Sequence, residues 1–138
     1  MRIETVTPAT FELILPLIAA YQRFYHAEPD EARNRAHFGR LLDDHAAGLQ
    51  FVALDEAGSA LGFATLYFPL ASVTPGSACL MNDLYVVPAA RGQAIGRSLI
   101  LHCLRYAREH GFHEIKWQTA LDNHTAQRLY DSLPTRAT

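Results

Sequence analysis

The sequence LYVVPAARGQAIGRSLI, from Leu84 to Ile100, sets the architecture of this chain. It opens with a β-branched and aromatic run that Pro88 closes, because proline has no N–H to donate to a sheet ladder. Beyond the next few residues, apolar side chains recur at helical spacing, at Ile95, Leu99, Ile100, Cys103, Leu104 and Ala107. The stretch therefore predicts a strand, a tight turn and a helix.

The turn between this strand and helix carries two glycines, Gly92 and Gly96. Glycine allows a ligand to approach the backbone closely, and the first N–H groups of a helix have no intrahelical partner. Such a turn favours an anion, above all a phosphate. The dinucleotide pattern G-x-G-x-x-G is absent, and Arg97 follows Gly96 where the phosphate-loop pattern requires lysine.

The remaining chain divides into further strands and helices. Strands are predicted at Arg2–Val6, Gln50–Asp55, Ala60–Leu70, Ala78–Val87 and His113–Thr119. Helices are predicted from Pro8 to about His26, over Glu31–Ala47 with Gly48 as the C-cap, from Ile95 to Gly111, and onward from Asp122 or Asn123. The first two of the three strands between Gln50 and Val87 predict an antiparallel hairpin, and all three a meander, whereas the strand, helix and strand around the glycine turn predict a parallel pair.

Composition indicates one folded domain, residues 1–138. The chain is 49% hydrophobic with a formal net charge of -2 at pH 7, and without a basic run nucleic-acid binding has no electrostatic support. Cys79 and Cys103 lack metal-ligand spacing, so we expect buried thiols in a reducing compartment and no metal site. No apolar run is long enough to span a bilayer and no leader is evident, so we expect a cytoplasmic protein without a membrane partner.

A second group of polar residues lies near the C-terminus. Asn123 and Tyr130 are seven residues apart, so on a helix they project from one face, two turns apart. Two interpretations are open: Asn123 caps the helix and Tyr130 packs, or both residues serve a site.

These motifs resemble the GNAT superfamily of N-acetyltransferases. Its acyl-CoA pyrophosphate loop reads R/Q-x-x-G-x-G/A after a strand that ends in hydrophobic-x-Pro. Arg91 and Gly96 match, and Ala94 stands where the first signature glycine is expected. The stretch TALDNHTAQRLYDSLP is similar to the family segment that borders the pantetheine arm. The resemblance covers Val6 to Leu133, with small-amine and thialysine-type acetyltransferases as the most similar subgroup.

The resemblance implies the GNAT fold, of the α/β (α+β) class. In that fold a mixed, mostly antiparallel central sheet has helices on both faces, and its fourth and fifth strands are parallel and splayed. Members normally continue into one or two more strands, whereas only Pro134 to Thr138 remain here. We therefore expect the C-terminal strand to be missing or supplied by a partner. An exposed sheet edge favours association, so a homodimer is expected.

The resemblance also implies acetyl-CoA as cosubstrate and a primary amine, small or on a lysine side chain, as acceptor. Tyr130 is then the general acid that protonates the departing thiolate, since a phenol is protonated at neutral pH. The residues expected to hold the cofactor are Leu84, Tyr85, Val86, Arg91, Gly92, Gln93, Ala94, Ile95, Gly96, Arg97, Asn123 and Tyr130.

The general base is less clearly marked. Related polyamine-type enzymes carry a Glu where this chain has Asn82, which cannot accept a proton. The adjacent Asp83 is the expected base, acting through water, although strand alternation would point it to the other face. His26 and His124 are the alternatives.

Acceptor specificity in this family is implied for Tyr21 to Arg35 and for the loop from Leu70 to Ser77. The carboxylates Glu28, Asp30 and Glu31 either cap the second helix or form an acidic lip that attracts a cationic amine.

These residues are compatible with two functions. The first is acetyl transfer to a primary amine in a ternary complex, because no cysteine lies near the motifs to carry a covalent acetyl group. The second is a non-catalytic acyl-CoA binding or sensing domain, as Ala94, Asn82 and the short C-terminus suggest. Tyr130 favours the enzyme, because a binding domain does not need an acid at the sulfur.

Overall fold

The computed structural model of this chain describes residues 1–71, 76–112 and 115–118. Its strands are β1 (Arg2–Thr5), β2 (Gly48–Leu54), β3 (Ala60–Tyr67), β4 (Leu70–Ala71), β5 (Gly76–Ser77), β6 (Cys79–Val86) and β7 (Ile115–Trp117). Its helices are α1 (Pro8–Phe24), α2 (Glu31–Asp43) and α3 (Ile95–Glu109). Within these residues no helix is both long and apolar enough to cross a membrane.

Five strands form one sheet in the order β1-β2-β3-β6-β7. The pairs from β1 to β6 are antiparallel, and β7 lies parallel to β6, with Cys79 opposite Ile115 and Met81 opposite Trp117. This arrangement confirms the predicted mixed, mostly antiparallel sheet. The region predicted as a loop after β3 contains a second small ladder, in which β4 pairs with β5.

The two faces of the sheet carry separate hydrophobic clusters, so helices lie on both faces as predicted. On one face α3 packs through Leu99, Cys103 and Leu104 against β2, β3 and β6. On the other, α1 and α2 pack through residues such as Ile18 and Phe38 against Val52, Phe63 and their neighbours.

A β-bulge interrupts the pairing of β3 with β6 at Asn82. Thr65 lies opposite Asp83, but the next residue along β3, Leu66, lies opposite Met81. The extra residue shifts the side-chain alternation of β6 by one. Consequently Met81 and Leu84, three residues apart, both pack in the α3 cluster, and Asp83 is turned toward α1 and α2.

The second helix is shorter than the sequence predicts. It ends at Asp43 rather than Ala47, because Asp44 leaves helical geometry and its carboxylate accepts a hydrogen bond from the Ala46 N–H at 3.1 Å. Gly48 is therefore not a C-cap but the first residue of β2. A side chain there would collide with the Leu66 carbonyl oxygen, so the strand requires glycine at this position.

Polar pairs fix the mutual position of α1 and α2. The side-chain amides of Gln22 and Asn34 exchange two hydrogen bonds, of 2.8 and 2.9 Å. Asn34 is buried, whereas the bidentate pair of Arg35 with Glu12 lies in solvent. A buried amide left without its partner costs more than an ion pair removed from water.

We predict that Asn34→Ala lowers the free energy of unfolding by about 1–3 kcal/mol, because it removes the two hydrogen bonds of a buried side chain and leaves the half-buried Gln22 amide without its partner. Denaturant unfolding followed by circular dichroism measures the change. Arg35→Ala is the matched control on the same helix, and its effect should be smaller. An equal loss in the two variants would contradict the role of the buried amide pair.

Candidate active site

A cavity of about 680 Å³ lies where the C-terminal half of β6, the turn that follows it, the start of α3 and the end of α1 meet. It is lined by Tyr21, Phe24, Tyr25, Leu84, Tyr85, Val86, Ala90, Arg91, Gly92, Ala94, Ile95, Gly96 and Ile100. The structure thus brings the predicted strand, glycine turn and helix start into one concave site.

The turn before α3 presents backbone amides to this cavity. Gly92 and Ala94 both have positive φ, of 84° and 62°. The Ser98 N–H makes the first hydrogen bond of the helix and donates to the Ala94 carbonyl at 3.0 Å. The amides of Ile95, Gly96 and Arg97 belong to the first helical turn and have no intrahelical acceptor. Together with the helix dipole they form a site suited to an anion.

Among the described residues, no strand pairs with the outer edge of β6 where it borders the cavity. The Val87 N–H donates to the Leu61 carbonyl at 2.9 Å, and the register places Tyr85 opposite Phe63. Antiparallel ladders alternate, so the backbone groups of Leu84 and Val86 point away from β3. Within the described part of the chain, the last backbone bond from the β7 side runs from the Gln118 N–H to the Met81 carbonyl, just before the bulge.

Arg91 ties the turn to this edge. Its Nε donates to the Val86 carbonyl at 3.0 Å, and its guanidinium carbon lies 5.7 Å from the centroid of the Tyr85 ring. The side chain is therefore held at the cavity wall, where its charge adds to the positive potential of the helix start.

A buried carboxylate lies near the other end of the cavity. Asp83 is 5% exposed, and its Oδ1 accepts a hydrogen bond from the Asn82 side-chain amide at 3.0 Å. Burial raises the pKa of Asp83, and hydrogen bonding from Thr65, Tyr21 and Asn82 opposes that rise. A carboxylate in this environment is a stronger base than one in water.

Two tyrosines adjoin this carboxylate. The Tyr21 hydroxyl donates to the Asn82 carbonyl at 3.4 Å, and burial together with the charge of Asp83 raises the pKa of Tyr21. Tyr67 is affected in the same way, and its hydroxyl lies 2.8 Å from Nε2 of His37, which is exposed. The structure therefore places a phenol between the cavity and Asp83, and a second phenol between Asp83 and the surface.

The predicted site residues divide into three groups. Of those predicted to bind the cofactor on β6, in the turn and at the start of α3, all line the cavity except Gln93 in the turn and Arg97 in α3, whose side chains are exposed. Asn123, Tyr130 and His124 lie outside the described residues.

The expected base and its described alternative lie away from the cavity wall. Asp83 and His26 are not among the described residues that line the cavity. Asp30 caps α2 by accepting from the Arg33 N–H at 3.0 Å, and Glu31 pairs with Arg35 at 3.2 Å, so both carboxylates serve the helix. Among the described residues no cluster of histidine, cysteine or acidic side chains is arranged to hold a metal.

Sequence reasoning gave no chemical role to Tyr21, Tyr67 or His37, although Tyr21 begins the segment to which the family resemblance assigns acceptor specificity. The spacing of Tyr21 with Ile14 and Ile18 marks it only as part of the buried face of α1. The polar neighbourhood of Tyr21 arises from the bulge at Asn82, which residue periodicity does not reveal.

We predict that Ala94→Gly raises the free energy of unfolding by about 0.5–1 kcal/mol. A left-handed conformation costs a residue with a side chain about 1–2 kcal/mol, and the greater freedom of unfolded glycine offsets part of this gain. Ala90→Gly, at a buried position with ordinary backbone geometry, is the control and should be destabilised. Denaturant unfolding of both variants decides the matter, and a loss of stability in Ala94→Gly would contradict the assigned backbone geometry.

We predict that Asp83→Asn stabilises the protein at neutral pH. Because the pKa of Asp83 is raised in the folded state, folding favours the neutral carboxyl. The contribution of Asp83 to the free energy of unfolding is fully present below the ordinary aspartate pKa and is lost as the pH rises through the folded-state pKa. The amide is neutral at every pH, so its advantage should disappear in acid. Unfolding measured at acid and neutral pH tests this, with Glu56→Gln in an exposed turn as the control. An advantage that does not depend on pH would refute it.

Comparison with known proteins agrees with this geometry. Residues 14–133 match the family described as the acetyltransferase (GNAT) family. An uncharacterised N-acetyltransferase of Bacillus subtilis is 30% identical over 131 residues, which cover 95% of this chain and 87% of that protein. A D-amino-acid N-acetyltransferase of Saccharomyces cerevisiae is 33% identical over 129 residues, which cover 93% of this chain and 80% of the yeast protein.

The fold is also found among solved structures. The crystal structure of a probable acetyltransferase superimposes with a TM-score of 0.78 at 30% identity, covering 100% of this chain and 91% of that one. The motif-bearing turn, the cavity beside it and the relatives lead to the same conclusion: this chain belongs to the GNAT family and is an N-acetyltransferase.

Proposed function

We propose that this chain transfers the acetyl group of acetyl-CoA directly to a small primary amine within a ternary complex. The observation that carries the proposal is that one cavity joins the anion-binding turn, the outer edge of β6 and the approach to a buried carboxylate. Each of these features meets one requirement of acyl transfer to an amine, namely an anchored cosubstrate, a hydrogen-bond donor for its carbonyl and a proton acceptor.

The turn fits the diphosphate of acetyl-CoA, the cosubstrate that supplies the activated acetyl thioester. Backbone amides from Gly92 to Arg97, with the start of α3, would hold the negative charge, and Arg91 and Arg97 would add positive charge. Gly92 carries no side chain, and an added Cβ would meet no atom within 4 Å, so this part of the turn is open.

The open edge of β6 suits the pantetheine arm, whose amides need backbone partners. Leu84, Tyr85 and Val86 line the cavity, and the alternation of the ladder leaves the groups of Leu84 and Val86 facing it. An N–H on this edge would donate to the acetyl carbonyl oxygen, which is the role of an oxyanion-hole donor.

Acid and base roles are assigned to Tyr130 and Asp83. Asp83 would accept the proton of the acceptor ammonium, and its buried position strengthens it as a base. Tyr130 would give a proton to the departing thiolate, and Asn123 would contact the cofactor arm, as the family resemblance implies.

Direct transfer is favoured over a covalent acetyl-enzyme by the state of the cysteines. Cys79 and Cys103 are both fully buried in the cluster beneath α3. Burial raises the pKa of the Cys79 thiol to about 12 and also raises that of Cys103, so neither is a thiolate at neutral pH.

The acceptor is proposed to be a small amine with an apolar body. Tyr21, Phe24, Tyr25 and Tyr85 contribute aromatic surface to the cavity, and Phe24 and Tyr25 are more than half exposed. The yeast relative named for D-amino acids makes such amino acids the first acceptors to examine. We further infer that residues 1–138 form one domain that works as a homodimer in the cytoplasm.

The decisive assay has two stages. Isothermal titration calorimetry first measures binding of CoA. Release of free thiol from acetyl-CoA is then followed with D-alanine, D-phenylalanine, their L enantiomers and L-lysine. Thiol release that depends on the amine supports the proposal. Binding of CoA without transfer to any of these amines would favour the acyl-CoA binding domain instead.

We predict that Tyr130→Phe lowers kcat by about 10²-fold or more and leaves the dissociation constant of CoA nearly unchanged, because it removes only the acid. Tyr106→Phe provides the control, since Tyr106 stacks on Phe68 and His110 on the α3 face, outside the cavity lining. Equal losses of turnover and of CoA affinity in Tyr130→Phe would count against the acid role.

A further inference from the structure

The expected base does not itself reach the cavity. Asp83 is 5% exposed, and the described lining of the cavity includes Tyr21 but not Asp83. An acceptor amine inside the cavity therefore meets the Tyr21 side chain before it meets the carboxylate. The proton needs a group that joins the two.

Tyr21 is held in that intermediate position from several sides. Its ring lies edge-on to Phe63 and Tyr85, with centroid distances of 5.9 and 6.3 Å, and 5.0 Å from the ring of Tyr25. Its hydroxyl donates to the Asn82 carbonyl at 3.4 Å, and the same Asn82 donates through its side chain to Asp83 at 3.0 Å. A 3.4 Å bond is long, so the hydroxyl hydrogen turns easily to a better acceptor.

We propose that Tyr21 is a catalytic residue that carries the proton of the acceptor ammonium to Asp83. This inference rests on the proposed function. The ammonium N–H bond breaks as a bond forms from that hydrogen to the phenolic oxygen, while the phenolic O–H bond breaks as its hydrogen bonds to Asp83. Nitrogen keeps the electron pair and becomes nucleophilic, tyrosine ends as a phenol, and the carboxylate ends as a carboxylic acid.

The surroundings suit such a relay better than direct ionisation of the phenol. Tyr21 is neutral before and after the step, so the raised pKa of its hydroxyl is no obstacle. Among the described residues, the titratable groups that face Asp83 are Tyr21 from α1, His37 from α2 and Tyr67 from β3, and of these three Tyr21 lines the cavity. Tyr21 is therefore the described group that connects the cavity with the carboxylate of Asp83.

The test is Tyr21→Phe, which keeps the ring and its packing and removes only the hydroxyl. The substrate is the amino acid that the wild-type protein acetylates most rapidly in the thiol-release assay. With this substrate at neutral pH, we expect kcat/KM to fall by about 10²-fold. The deficit should shrink as pH rises, because more of the amine then arrives already neutral. The dissociation constant of CoA, measured by isothermal titration calorimetry, should be unchanged. Tyr106→Phe, which removes a hydroxyl on the opposite face, should follow the wild-type pH profile.

A double variant tests whether the two groups act as one unit. Tyr21→Phe combined with Asp83→Asn should be no slower than the slower single variant, because either change breaks the same relay. Fully multiplied losses would overturn the inference, as would a Tyr21→Phe enzyme with wild-type kcat/KM and pH profile. A wild-type protein that binds CoA yet acetylates no amine would instead overturn the proposed function.

Discussion

One extra residue in the central sheet controls the geometry of this site. Without the bulge at Asn82, strict alternation would point Asp83 toward the α3 cluster along with Cys79 and Met81. A carboxylate there would be surrounded by apolar side chains and would have no polar partner. The bulge turns it instead toward Thr65 and Tyr21, whose hydroxyls, with the Asn82 side-chain amide, supply the hydrogen bonds that a buried carboxylate needs. The described pairing of β6 with β7 ends at the same place.

The two faces of the sheet consequently have separate tasks. The α3 face supplies packing and orients the turn whose amides face the cavity, and its two buried thiols are chemically inert at neutral pH. The α1 and α2 face carries the polar chemistry, with Asp83 beneath aromatic side chains. The cavity borders elements from both faces of the sheet, because the start of α3 and the end of α1 both line it. Acyl transfer needs the turn that faces the cavity and the polar groups around Asp83 to lie within reach of each other.

Two features of the site are held at the expense of stability. Ala94 adopts a left-handed backbone that glycine would adopt more easily, and Asp83 is buried in spite of its charge. Active sites commonly contain such features, because reactive groups must be kept in environments that folding alone would not favour. Stability is recovered elsewhere, for example through the mutual hydrogen bonds of Gln22 and Asn34, which fix the helix that bears Tyr21 against α2.

The sequence alone determined the parts of this protein that depend on local chemistry. Pro88, Gly92 and the apolar repeat from Ile95 are local signals, and they predicted the strand, the turn and the helix as found. The end of α2 was predicted too late, because the turn after Asp44 relies on a side-chain bond that competes with the helix. Only the tertiary structure decided which way Asp83 faces and that Tyr21 stands beside it. A bulge is a property of two paired strands, and its effect on alternation cannot be read from either strand by itself.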